Sequence, residues 1–125
     1  MNNKQLGTAF EREVCELLKQ HGYWVHFMSP DVRGAQPFDI IAVKNGKALA
    51  MDCKTSASKY FPLSRLEDNQ IYAFERWIDC GNVKPLVVIK YQNEILTASY
   101  PYLRDKGRVN LEEDLLCIED SLKLL

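Results

Sequence analysis

The sequence has too little of several things to belong to many protein classes. No apolar run approaches the roughly 20 residues a membrane helix needs, and the polar start Asn2-Asn3-Lys4-Gln5 is unlike a secretion signal. Only two histidines occur, His21 and His26, and neither stands with a cysteine pair at zinc spacing. There is no glycine-rich phosphate loop and no serine-nucleophile elbow. Four cysteines, Cys15, Cys53, Cys80 and Cys117, are too widely spaced for a disulfide frame and fit small core residues in a reducing compartment. These absences lead us to expect a cytoplasmic protein with no membrane association and no small-molecule cofactor.

A dominant charge of one sign is also missing, since the net charge is −1. Its distribution is uneven. Residues 1–65 carry nine basic against six acidic residues, and residues 66–125 carry seven against eleven. The first half reads either as a basic face for a phosphate backbone, once a cation offsets its acids, or as an ordinary mixed surface.

What is there suits a globular domain. With 125 residues, 46% apolar and 26% charged, the chain has the length for one domain, 1–125, and not for two ordinary ones. Leu6, Phe10, Val14, Leu17 and Leu18 fall at helical spacing, with Gly22 as terminator. Residues 23–28 predict a strand and 29–37, with two prolines and a glycine, a loop. Residues 38–43 and 47–54 predict two strands joined by Asn45-Gly46, the pair a type I′ hairpin turn favours. Residues 55–62 read as a loop, and Ser64 as a helix start with Glu67 closing a capping box. Leu66, Ala73, Phe74, Trp77 and Ile78 mark that helix's buried side. Leu86-Val87-Val88-Ile89 suits a strand covered on both faces, pairing with a strand over 94–100. Residues 101–107 read as a loop or short helical turn and 112–125 as helical. The order αβββαββα predicts an α/β domain, a central mixed sheet flanked by helices.

The hairpin carries the chemistry. Alternation places Asp52 and Lys54 on one face of the second strand and Cys53 on the other. Asp39 and Asp52 offer the hard oxygens that magnesium prefers, and the Cys53 backbone carbonyl offers another. Lys54 would stabilise charge on a scissile phosphate or position a water. Ala48, Leu49, Ala50, Met51 and Cys53 imply burial, where an acid such as Asp52 needs a partner or a cation. Glu11, beside Phe10 and off the apolar stripe, reads as a third ligand or as a solvent-facing helix acid. Gln70 would orient a water or phosphate oxygen, or is a surface glutamine.

Gly7-Thr8-Ala9-Phe10-Glu11-Arg12, then Phe38-Asp39-Ile40-Ile41-Ala42, then Asp52-Cys53-Lys54, resemble the archaeal-type Holliday junction resolvases of the PD-(D/E)xK nuclease superfamily. Tyr60-Phe61-Pro62-Leu63 leading to Asn69-Gln70 is similar to the RecU-type bacterial resolvases. The resemblance covers about residues 5–91. It implies a restriction-endonuclease-like core, with Glu11, Asp39 and Asp52 as metal-binding acids and Lys54 as the catalytic lysine. Gln70 matches a helix glutamine near the site of the RecU-type enzymes, and Ser29 a loop serine of the archaeal ones. Two departures stand out: Phe38 separates Pro37 from Asp39, and Asp52 replaces the more usual Glu. The family implies a homodimer acting on opposed strands of a branched DNA. The cofactor expected is Mg²⁺, with Mn²⁺ able to substitute.

Arg33, Lys44, Lys47, Lys59 and Arg65 lie in or beside the expected site loops and are candidate phosphate contacts. Tyr60 and Phe61 either stack on bases or pack their loop onto the sheet. The aromatic second helix (Tyr72, Phe74, Trp77) is the candidate dimer contact, with pure core the competing reading of Trp77. The function expected is metal-dependent resolution of four-way junctions. The alternatives are cutting of another DNA structure or sequence, and a non-catalytic DNA-binding subunit.

Overall fold

The computed structural model describes residues 3–28 and 36–125, with side chains described from residue 9 onward within those ranges. Helix α1 (Asn3–Gln20) ends as its glycine requires. Gly22 takes φ +87°, its N–H bonds Lys19 O, and the Tyr23 N–H reaches back to Leu18 O. Three antiparallel strands follow: β1 (Trp24–Phe27), β2 (Ile40–Lys44) and β3 (Lys47–Ser56). Asn45 and Gly46 both hold positive φ, 53° and 75°, as the hairpin turn demands.

From β3 the chain runs through β4 (Tyr60–Pro62), a 3₁₀ turn (Leu63–Arg65) and α2 (Asp68–Asp79). It then lays β5 (Leu86–Tyr91) parallel to β3. β6 (Glu94–Ser99) turns back antiparallel, followed by α3 (Tyr100–Lys106), β7 (Arg108–Asn110), β8 (Leu116–Cys117) and α4 (Ile118–Lys123). The six-stranded sheet has the order β1-β2-β3-β5-β6-β8, with β4 and β7 forming a separate two-stranded ribbon.

Two cores sandwich the sheet. On one face α1 (Phe10, Val14, Leu18) and α4 (Ile118, Leu122) cover Ile40, Leu49, Met51 and Val88. On the other, Phe74 of α2, Leu103 of α3, and Phe61 and Val109 of the ribbon cover Ala50, Val87 and Ile89. β5 contributes to both faces, which is why its apolar run is unbroken. The mixed sheet between helices is the architecture the sequence pattern predicts.

Three local expectations are corrected, and a fourth, left open between loop and helical turn, is decided. The segment 55–62 is not a loop throughout, because β3 runs to Ser56 and Tyr60–Pro62 pairs with β7. The second helix starts at Asp68, four residues after Ser64; Glu67 is its N-cap and Gln70 completes the capping box. Residues 100–106 are helical, because the Ser99 side chain accepts from the Tyr102 N–H and Pro101 sits in the first turn. The C-terminal region is helical only over Ile118–Lys123.

Candidate active site

The first strand of the hairpin enters irregularly, and that irregularity aims Asp39. The Asp39 N–H bonds Met51 O at 3.0 Å, although Met51 is already the register partner of Ile40. Two residues thus face one, the arrangement of a β-bulge, which re-aims side chains beside sites. Strict alternation breaks here as well: Phe38 joins the α2-side core and Ile40 the α1-side core. The Met28 N–H donates to Asp39 O at 2.8 Å, so the Asp39 backbone is held between β1 and β3. Its carboxylate Oδ2 accepts from the Cys53 N–H at 2.8 Å.

On β3, Met51 and Cys53 face α1, so Asp52 and Lys54 turn toward α2. Asp52 is fully buried. Its Oδ1 accepts a 2.8 Å hydrogen bond from Gln70 Nε2, whereas its buried Oδ2 accepts none. Lys54 Nζ stands 3.3 Å from Oδ2 as an ion pair without hydrogen-bond alignment. Burial, then the Asp39 charge, push the Asp52 carboxyl up to about 8, against the pull of Lys54. The same causes push Glu11 to about 7: burial first, then the charge of Asp39, with Lys54 opposing.

Acids whose pKa values are raised by burial and by a neighbouring acid's charge, around a buried oxygen without a hydrogen-bond partner, form a site whose charge a cation would offset. The donor set, carboxylate oxygens with one lone pair unclaimed, fits a hard divalent ion. Among the described residues, no three acids converge closely enough to enclose an ion by themselves. Asp39 and Asp52 form the close pair, and Glu11 lies within the field of Asp39 and Lys54.

Comparison with known proteins gives the family and the fold. The family described as archaeal Holliday junction resolvase (Hjc) matches residues 2–125. The chain belongs to this family. A relative named crossover junction endodeoxyribonuclease Hjc, from Methanocaldococcus jannaschii, is 30% identical over 102 residues, covering 82% of this chain and 71% of that one. The structure of Archaeoglobus fulgidus Hjc, a Holliday junction resolvase from an archaeal hyperthermophile, shares the fold with a TM-score of 0.60. It is 20% identical, over 74% of this chain and 76% of that one.

Other expected contacts of this resolvase-family chain are redistributed. Lys44 and Lys47 pair at the hairpin turn, five residues or about 17 Å along the strands from Asp39 and Asp52. Lys44 Nζ there donates to His21 O and lies over the Tyr23 ring, so neither lysine borders the site. Phe61 and Phe74 are wholly buried, which rules out base stacking by the first and a dimer contact by the second. Tyr60 remains exposed beside Lys59 and Arg108. Arg65 stays exposed at the site's edge, its Nη2 donating to Thr55 O at 2.9 Å. Arg33 and Ser29 lie outside the described residues. Gln70 is buried, and both ends of its amide have protein partners: its Oε1 accepts from the Glu67 N–H at 3.0 Å and its Nε2 donates to Asp52 Oδ1 at 2.8 Å. The cue was the Glu67–Gln70 capping pair, hidden behind the Ser64 reading.

Proposed function

We propose that this family member cuts four-way DNA junctions by hydrolysis at the Asp39–Asp52–Lys54 centre. Asp39 and Asp52 would hold a divalent cation, Mg²⁺ with Mn²⁺ able to substitute, joined by Glu11 and the Cys53 carbonyl. When bound, the ion lowers the pKa of an attacking water and offsets charge on the phosphate. Lys54, only partly exposed, supplies a fixed positive charge beside the scissile phosphate and a donor that orients the nucleophile. Gln70 holds Asp52 Oδ1, so that Oδ2 is presented to the ion. The observation that supports this reading most is the buried, unsatisfied Oδ2 of Asp52 within reach of Lys54.

Among the described residues no helix is long and apolar enough to cross a membrane, and action on DNA fits the cytoplasm. A two-fold symmetric junction cut on opposed strands calls for a symmetric pair of these chains. The outer face of α2 is our candidate contact. Tyr72 is 69% exposed there and borders an open groove of about 480 Å³ with Trp77, Arg76 and Pro37. Incubating labelled four-way junction and matched linear duplex with the protein, with and without Mg²⁺, tests the reading. Metal-dependent paired cuts confined to the junction are expected, and their absence refutes it.

A further inference from the structure

The β4–β7 ribbon places four basic side chains together that no sequence motif links. Lys59 and Arg65 come from the β4 side, and Lys106 and Arg108 from the end of α3 and from β7. The ribbon's inner face, Phe61 and Val109, is buried on the same side of the sheet toward which Asp52 and Lys54 turn. Its outer face is therefore solvent-facing and adjoins the active centre. Arg65 marks the junction, with its guanidinium 5.1 Å from the Phe61 ring centroid and bonded to the carbonyl of Thr55, next to Lys54.

These cations are exposed, and among the described residues none of the four forms an ion pair. Three rest on tyrosines instead. Arg108 lies 4.3 Å from the Tyr60 ring centroid with Lys59 at 5.2 Å, and Lys106 lies 5.6 Å from that of Tyr102. Of the three acids in the following turn, Glu112 accepts from the Tyr91 hydroxyl, Asp114 accepts from the Asn110 N–H of β7, and Glu113 is exposed; none of them pairs with these four cations. An arginine laid on an aromatic face keeps its planar fork of donors fixed and unspent, the geometry that suits a phosphate.

We propose that this ribbon is a DNA-backbone contact surface beside the cleavage centre. Arg108, steadied on Tyr60, together with Lys59 and Lys106, grips phosphates of the duplex arm adjoining the cut strand. The inference rests on the junction-cutting reading for its substrate, and on the unpaired charge for its chemistry.

The test is the slope of log affinity against log salt for a four-way junction, measured on the full chain without divalent metal. Each lost phosphate contact lowers the slope by about 0.9, roughly a five- to tenfold loss of affinity at 0.1 M salt. Arg108→Ala, Lys106→Ala and Lys59→Ala should each do so. Tyr60→Phe should keep the wild-type slope, because the ring survives, whereas Tyr60→Ala should behave like Arg108→Ala. Lys123→Ala on α4, across the sheet, is the control. Wild-type slopes in the three cation variants, with unchanged melting temperatures, would overturn the proposal. Cleavage of the junction by the unmodified chain is measured in parallel. Altered slopes without any cutting would refute the function reading and leave the surface standing, whereas cutting with unaltered slopes would refute the surface alone.

Discussion

Gln70 ties the start of α2 to Asp52: one end of its amide accepts from the Glu67 N–H, and the other donates to the Asp52 carboxylate at 2.8 Å. A helix cap and a candidate metal ligand thus share one side chain. Gln70→Leu should destabilise the fold by about 1–2 kcal/mol through the lost cap and buried bond. It should also weaken divalent-ion binding roughly 10–100-fold, as loss of a ligand's supporting hydrogen bond does. Calorimetric titration with Mn²⁺ on the folded variant checks this, and unchanged affinity would detach Gln70 from the site.

The pH dependence of stability follows from Asp52 and Glu11. Their folded-state pKa values, about 8 and about 7, lie above ordinary carboxylate values, chiefly through burial. Without metal the folded protein holds these protons more tightly than the unfolded chain does. The resulting stability is full below about pH 4 and is lost as pH rises through 7 and 8. Melting temperature in a chelator should therefore fall from pH 5 to pH 9, and Mg²⁺ should restore it at the alkaline end. Asp52→Asn should melt higher than the parent at pH 8.5 by at least roughly 4 °C, about 1 kcal/mol for a domain this size. A flat profile would mean that these acids are not under the stress described.

Phe61 and Phe74 belong to the core, so Phe61→Ala or Phe74→Ala should cost about 3–5 kcal/mol. Urea denaturation measures this directly. A stable Phe61→Ala chain with specifically weakened junction binding would return Phe61 to the DNA surface.

The proposed pairing through α2 is tested by light scattering at micromolar concentration. It should give twice the 14.4 kDa chain mass, and Tyr72→Glu on the exposed face should halve it. A monomer that still makes paired cuts would contradict the dimer.

Much of the architecture was legible because its signals are local. The Asn45-Gly46 turn, the Gly22 cap and the apolar run of β5 each fix a conformation with few residues. What escaped depends on contacts between distant segments. Tyr60–Pro62 looks like a loop until Arg108–Asn110, nearly 50 residues on, supplies its ladder partner. Phe61 looks available to DNA until Val109 and α2 close over it. Alternation correctly assigned Asp52 and Lys54 to one face, but the bulge at Asp39 breaks the pattern that would have placed its neighbour Phe38. Lys44 and Lys47 were assigned to the site from sequence proximity to Asp39 and Asp52; strand geometry carries them to the far end of the hairpin.

Cleavage of a labelled four-way junction in Mg²⁺ by the wild-type, Asp52→Asn and Lys54→Ala chains, with binding followed in the same samples, tests the central claim most directly. The account predicts metal-dependent cutting by the wild type and a loss of at least about 100-fold in both variants, with junction affinity within a fewfold of wild type. Undiminished cutting by Asp52→Asn or Lys54→Ala would contradict it.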